Sequence, residues 1–147
     1  MAQLPEQSYE KHTKWVPAFH QVQMPLLLAT MIGSLVNLYQ SIGDHERIYN
    51  ASLIVALTIG VIFSTAFARL FALQAQDRVI RAEENMRHYL LTGKPLDPRL
   101  TVRQIVGLRF ASDAEFAELA RKAAETGTSA SDIKKAVKTW RADHNRL

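Results

Sequence analysis

From Trp15 to Gly43 the chain carries no Lys, Arg, Asp or Glu, and from Asn50 to Ala68 there is again none. Between these runs lies a short polar break, Asp44-His45-Glu46-Arg47. A helix rises about 1.5 Å per residue, so roughly 20 residues cross a hydrocarbon core of about 30 Å. Both runs reach that length. Lipid offers no partner to backbone amides, so the runs are expected to be helices spanning residues 24–42 and 51–73. Arg69 falls inside the second, one turn from its end, where a long side chain snorkels to the interface. A buried hairpin in a soluble protein is the competing reading, but the rest of the chain offers little apolar surface to cover two such helices.

Past the second run the sequence changes character. No Gly or Pro occurs from Val61 to Thr92, and residues 69–91 are rich in good helix formers. This predicts that the second span continues as one helix to about Leu91 and stops at Gly93-Lys94-Pro95. Asp77 with Arg81 and Glu83 with Arg87 have the spacing of helical ion pairs. Leu70, Leu73, Val79, Ile80, Met86 and Leu90 leave an apolar strip. Three short helical patterns follow the linker Lys94–Arg99: Thr101–Phe110, a second opening on the capping box Ser112-Asp113-Ala114-Glu115 and ending at Gly127, and a third starting near Ser129 or Ser131. The third places Ile133, Val137, Trp140 and Leu147 on one stripe.

The expected fold is therefore all-α. A two-helix transmembrane hairpin continues into a long cytoplasmic helix and ends in a small helical bundle. The parts are an interfacial segment 1–23, the hairpin 24–73, the helix extension 74–92 and the bundle 93–147. The bundle is near the lower size limit for independent stability, so it is expected to lean on the long helix or on a partner.

Charge adds an orientation. The chain has 18 basic and 14 acidic residues, and residues 1–50 hold 3 and 4 of them, which leaves 15 and 10 for residues 51–147. Arg69, Arg78, Arg81 and Arg87 follow the second span, and Lys11 and Lys14 precede the first. By the positive-inside rule both termini are expected on the cytoplasmic side of the membrane, with the hairpin turn outside, which in a bacterial inner membrane is the periplasm. The mean hydropathy of −0.08 hides this organisation, because the apolar residues are concentrated.

Ser52, Ala56, Gly60, Ser64 and Ala68 recur every four residues and make one small-residue stripe. Ala29 and Gly33 answer it on the first span, with Asn37 a turn further. Small residues let helices approach closely in lipid, so the stripe predicts packing within the hairpin, against another chain, or both. Asn37 is expected to hydrogen-bond across the hairpin. With Thr30 and Ser34 it is also the candidate lining of an oligomeric pore.

Candidate chemistry is sparse. The chain has no cysteine, which excludes disulfides, Cys-ligated metal and a Cys nucleophile. His12 and His20 are weak metal or pigment candidates, because their spacing of eight matches no helical ligand pair. No metal and no cofactor are expected. Lys134, Lys138 and Arg141 share a face of the last helical pattern and, with Arg69 and Arg78, are candidate contacts to lipid phosphate. Nucleic acid is not an expected partner. Glu83 and Glu84 are adjacent and make a poor acid/base pair, and no nucleophile, P-loop or dinucleotide motif is present. An enzyme is not expected.

Four stretches, Tyr9–His20, Ala68–Glu84, Leu108–Asp113 and Ile133–Asp143, in that order, resemble an uncharacterised family of small bacterial two-span membrane proteins, a domain of unknown function. The resemblance covers nearly the whole chain. It implies an inner-membrane protein with a cytoplasmic C-terminal domain, and no activity or site residue. The expected role is a structural or accessory subunit of a larger assembly, or a self-associating scaffold. Its partners are membrane lipid and other membrane subunits or further copies. The alternatives are a pore or transport-associated protein, and a binder of anionic lipid or pigment.

Overall fold

The computed structural model describes residues 8–10 and 15–143. A π-helical lead-in, Ala18–Gln23, runs into α1 (Met24–Gln40). Then come α2 (His45–Thr92), α3 (Val102–Leu108), α4 (Asp113–Thr126) and α5 (Ala130–Ala136). Among the described residues there is no strand, only an isolated bridge between Ala111 and Trp140. The chain divides into two compact units, Trp15–Phe71 and the described residues from Ala72 onward together with residues 8–10. α2 contributes to both.

In the first unit the helix begins before residue 24. The N–H of Met24 reaches back to the Phe19 carbonyl, a π spacing, and Pro25 follows at the start of α1. Proline has no N–H to give and its ring crowds the preceding turn, and the change of register falls just before it. The turn between the helices is shorter than the sequence suggests. Gly43 takes a positive φ of 97°, and Asp44 Oδ1 accepts the amides of Glu46 and Arg47, each at 3.1 Å. Asp44 thus caps α2, and the polar break becomes its first turn, where an acid such as Glu46 meets the positive helix end.

Ser34 on α1, Ser41 at its C-terminal cap, and Ala51 and Thr58 on α2 are buried, with Leu27, Met31, Leu38, Val55, Ile62 and Thr65 half-buried beside them. Steps of three and four residues join these positions. The hydroxyls of Ser34 and Thr58 bond to carbonyls of their own helices, Met31 at 2.9 Å and Ile54 at 2.8 Å, so both can be buried without an orphaned donor. Both long helices are long and apolar enough to cross a membrane, yet only 6% and 11% of their most apolar stretches are buried by the chain itself. A soluble core helix would be covered. The exposed apolar faces point instead to a membrane protein.

In the second unit, α2 ends at Thr92, and Gly93 closes it with a φ of 73° and an amide that donates a hydrogen bond to the Tyr89 carbonyl at 2.8 Å. Leu96, Leu100, Ile105, Leu108, Ala111, Phe116, Ala120, Ala123, Ile133 and Val137 form the core. Thr101 and Gln104 cap α3 reciprocally, and the Gln104 amide also donates to the carbonyls of Ala123 and Thr128. At Gly107 a Cβ would meet the Ala130 carbonyl oxygen at 3.0 Å, so glycine is what lets α3 lie this close to α5.

The third helical pattern is shorter than its apolar periodicity predicts. α5 stops at Ala136, and Val137 turns extended at ψ 121°. The cause is Glu115. Its carboxylate accepts the amides of Lys138 at 3.1 Å and Thr139 at 3.0 Å, capturing backbone that a helix would have used. The Ser112 amide donates to the Thr139 carbonyl and the Arg141 amide to that of Phe110, so this segment pairs with residues 110–112. Val137 stays buried and Trp140 packs on Phe110, ring centres 4.8 Å apart, so both positions reach the core without a helix.

Candidate functional site

The small-residue stripe does not hold the hairpin together. Ala29, Gly33, Ser52, Ala56, Gly60, Ser64 and Ala68 are all exposed, and nothing lies within 4 Å of a Cβ built at Gly33 or Gly60. The intramolecular reading of the stripe is therefore corrected. Position 51 starts the inward face of α2, and a four-residue repeat begun at position 52 runs beside it. Asn37 is half-buried, and among the described residues its side chain makes no hydrogen bond. Among the described residues the side-chain hydrogen bond across the hairpin is Gln23 Nε2 to Thr65 Oγ1 at 3.2 Å. Of the other two residues placed on a pore lining, Ser34 is buried and Thr30 donates to the Leu26 carbonyl at 2.8 Å.

His20 is occupied locally. Its Nδ1 lies 2.9 Å from the Val16 carbonyl, and its ring stacks on Trp15 at 4.2 Å. It finishes the first turn of the helix. His12 lies outside the described residues, and among those described no three His, Cys, Asp or Glu side chains gather as metal ligands. The Arg69 guanidinium sits 4.8 Å over the Phe19 ring, inside its own unit.

The basic cluster near the end of the chain is dispersed by the early end of α5. Lys134 is on the helix, 5.5 Å over the Phe110 ring. Lys138 and Arg141 are on the extended segment, and Arg141 is 3.5 Å from Glu84. A single helical cationic face does not form.

What the sequence did not single out is a clasp on α2. Ile80, Glu84, Arg87 and His88 turn toward the bundle, with Ile80 and Glu84 buried. Arg87 donates to Glu84 at 3.0 Å, to Asp113 at 2.7 Å and to the Ala111 carbonyl at 2.7 Å, with its guanidinium 4.3 Å over Phe116. The helical partner of Arg87 is Glu84, not the expected Glu83, and the Asp77–Arg81 pair is not formed. Burial pushes the Glu84 carboxyl above its ordinary value, against the pull of Arg87 and Arg141. The clue in the sequence was the apolar Ile80 one turn before, which carries Glu84 onto the inward face.

On another side of the same helix the surface is open and apolar. Val79, Met86, Leu90 and Leu91 are exposed, Leu90 by 77%. Ala82, Met86, Leu90 and Leu91 line an open groove of about 560 Å³, bordered by Glu83, Arg87 and Asp113. Its floor is apolar and its rim carries charge of both signs. No curated protein and no solved structure matches the chain. The family model described as a family of unknown function (DUF6526) matches residues 1–147, and the chain belongs to that family.

Proposed function

We propose that this protein is a non-enzymatic membrane subunit of the bacterial inner membrane, an accessory or scaffolding part of a larger assembly. The observation that carries the reading is the apolar groove on α2 just past the second span, with Met86 and Leu90 exposed beside it. A groove with cationic and acidic closure and an apolar floor binds another chain's side chains, and burying two such residues contributes several kcal/mol by area alone, at about 25 cal/mol per Å². The exposed faces of α1 and α2 give the same subunit a second surface within the bilayer.

The test is site-specific photocrosslinking in native membranes. A photoreactive residue at Met86 or Leu90 is expected to give one defined adduct, and one at the exposed Glu118 on α4 none. Met86→Glu with Leu90→Glu is expected to remove the assembly while leaving membrane insertion and helix content intact. A homogeneous uncrosslinked monomer in mild detergent would sink the reading.

A further inference from the structure

A second cleft lies on the other side of α2, where the helix meets the turn leading into α3. α2 supplies Arg78, Arg81, Ala82 and Asn85 on successive turns. The facing wall is Leu96, Pro98, Leu100 and Ile105, and Leu96, Leu100 and Ile105 are buried members of the core. The cleft encloses about 280 Å³, close to the lower end of small-ligand pockets at roughly 300 Å³.

Its walls are held before any ligand arrives. Asn85 Oδ1 accepts the Leu96 amide at 2.9 Å, which leaves the Asn85 NH₂ to donate elsewhere. The Leu100 amide bonds to the Asp97 carbonyl at 3.0 Å. The Asp97 carboxylate accepts from the Arg99 backbone amide and from Nε and Nη2 along one edge of its guanidinium, at 2.9, 3.0 and 2.7 Å, which lowers its pKa to about 2. The acid on the rim is therefore already paired. Arg78 and Arg81 are not, because among the described residues neither has an acidic partner. Positions three apart on a helix are neighbours at about 5–6 Å, so two guanidinium forks border one opening. Guanidinium forks match the oxygens of a phosphate. The apolar wall behind them matches a hydrocarbon group.

We propose that this cleft binds a phosphate ester with an apolar substituent, its phosphate held by Arg78 and Arg81 and its apolar part against Leu96, Leu100 and Ile105. That chemistry is shared by a phospholipid headgroup region and a soluble phosphate ester.

Full-length protein in uncharged detergent is titrated with hexyl phosphate, inorganic phosphate and hexanol. Hexyl phosphate is expected to bind at least tenfold more tightly than inorganic phosphate, and hexanol without saturation. Arg78→Gln with Arg81→Gln is expected to weaken hexyl phosphate at least tenfold. Lys94→Gln with Arg103→Gln, which removes the same charge outside the cleft, is expected to change it less than twofold. Equal affinity for hexyl phosphate and inorganic phosphate, or equal losses in the two double variants, overturns the proposal. Nanodiscs then assign the source. Hexyl phosphate excluded by phosphatidylglycerol but not by phosphatidylcholine identifies a lipid occupant, and binding in both identifies a soluble ester.

Discussion

Glu115 shows how one carboxylate decides the path of a chain. Burial alone would raise its pKa, but amides of Lys138, Thr139 and Ser112 and the Ser112 hydroxyl outweigh this, and the group is lowered from its ordinary 4.5. A carboxyl with a lowered folded pKa contributes stability that is complete above the unfolded value. That stability is lost as pH falls through the folded one. The bundle is therefore expected to weaken below about pH 4.5, and Glu115→Ala to remove that part of the acid sensitivity. At neutral pH the variant should cost about 1–2 kcal/mol, as for a lost cap that serves several amides, measured by denaturant unfolding. Amide exchange at Lys138 and Thr139 should rise with it, and unchanged exchange there would refute the argument. The sequence revealed half of this residue, its capping of α4, because that partner is three positions away. The amides at 138 and 139 are more than twenty positions distant, and nothing local announces them.

Among the elements, the two long helices, α3, α4 and the start of α5 were readable, and the early end of α5 was not. Charge-free runs and the absence of Gly and Pro mark α1 and α2 over many turns, and Gly93 and Gly127 mark two ends by the same left-handed cap. Residues 130–140 carry a helical apolar spacing, but seven residues of helix cannot outweigh a tertiary hydrogen-bond acceptor. The small-residue stripe misled for a different reason. Spacing finds a face but not what faces it, and the packed side of α2 is one residue out of phase. Gly60→Ile is therefore expected to shift hairpin stability in detergent by less than about 0.5 kcal/mol, as for an open surface position. Thr58→Ile, on the packed face, is expected to lose about 1–3 kcal/mol by overpacking. The reverse order would return the stripe to the hairpin interface.

Taken whole, the chain joins two apolar helices to a small bundle through a single helix, and its topology is testable with unusual cleanliness because it contains no cysteine. Glu46→Cys in the first turn of α2 is expected to react with an impermeant maleimide from the periplasmic side. Glu118→Cys on α4 should react only after the membrane is opened. Labelling of both from one side would refute the two-span orientation. The groove at Met86 and the cleft at Arg78 were only half readable, one as an apolar strip and the other as a candidate phosphate contact. Each needs a wall from another part of the chain, Asp113 in one case and Leu96 to Ile105 in the other. Sequence supplied only the helical side of each.

The extended segment from Val137 to Arg141 has a consequence for the order in which the protein can be made. A ribosome releases α3, α4 and α5 before it releases the amides that Glu115 holds, the ring that covers Phe110 and the guanidinium that reaches Glu84. Closure of the bundle around Glu115 and Phe110 therefore waits for residues 137–141. A chain truncated after Ala136 would carry every described helix and still lack the ring that covers Phe110 and the amides that Glu115 holds.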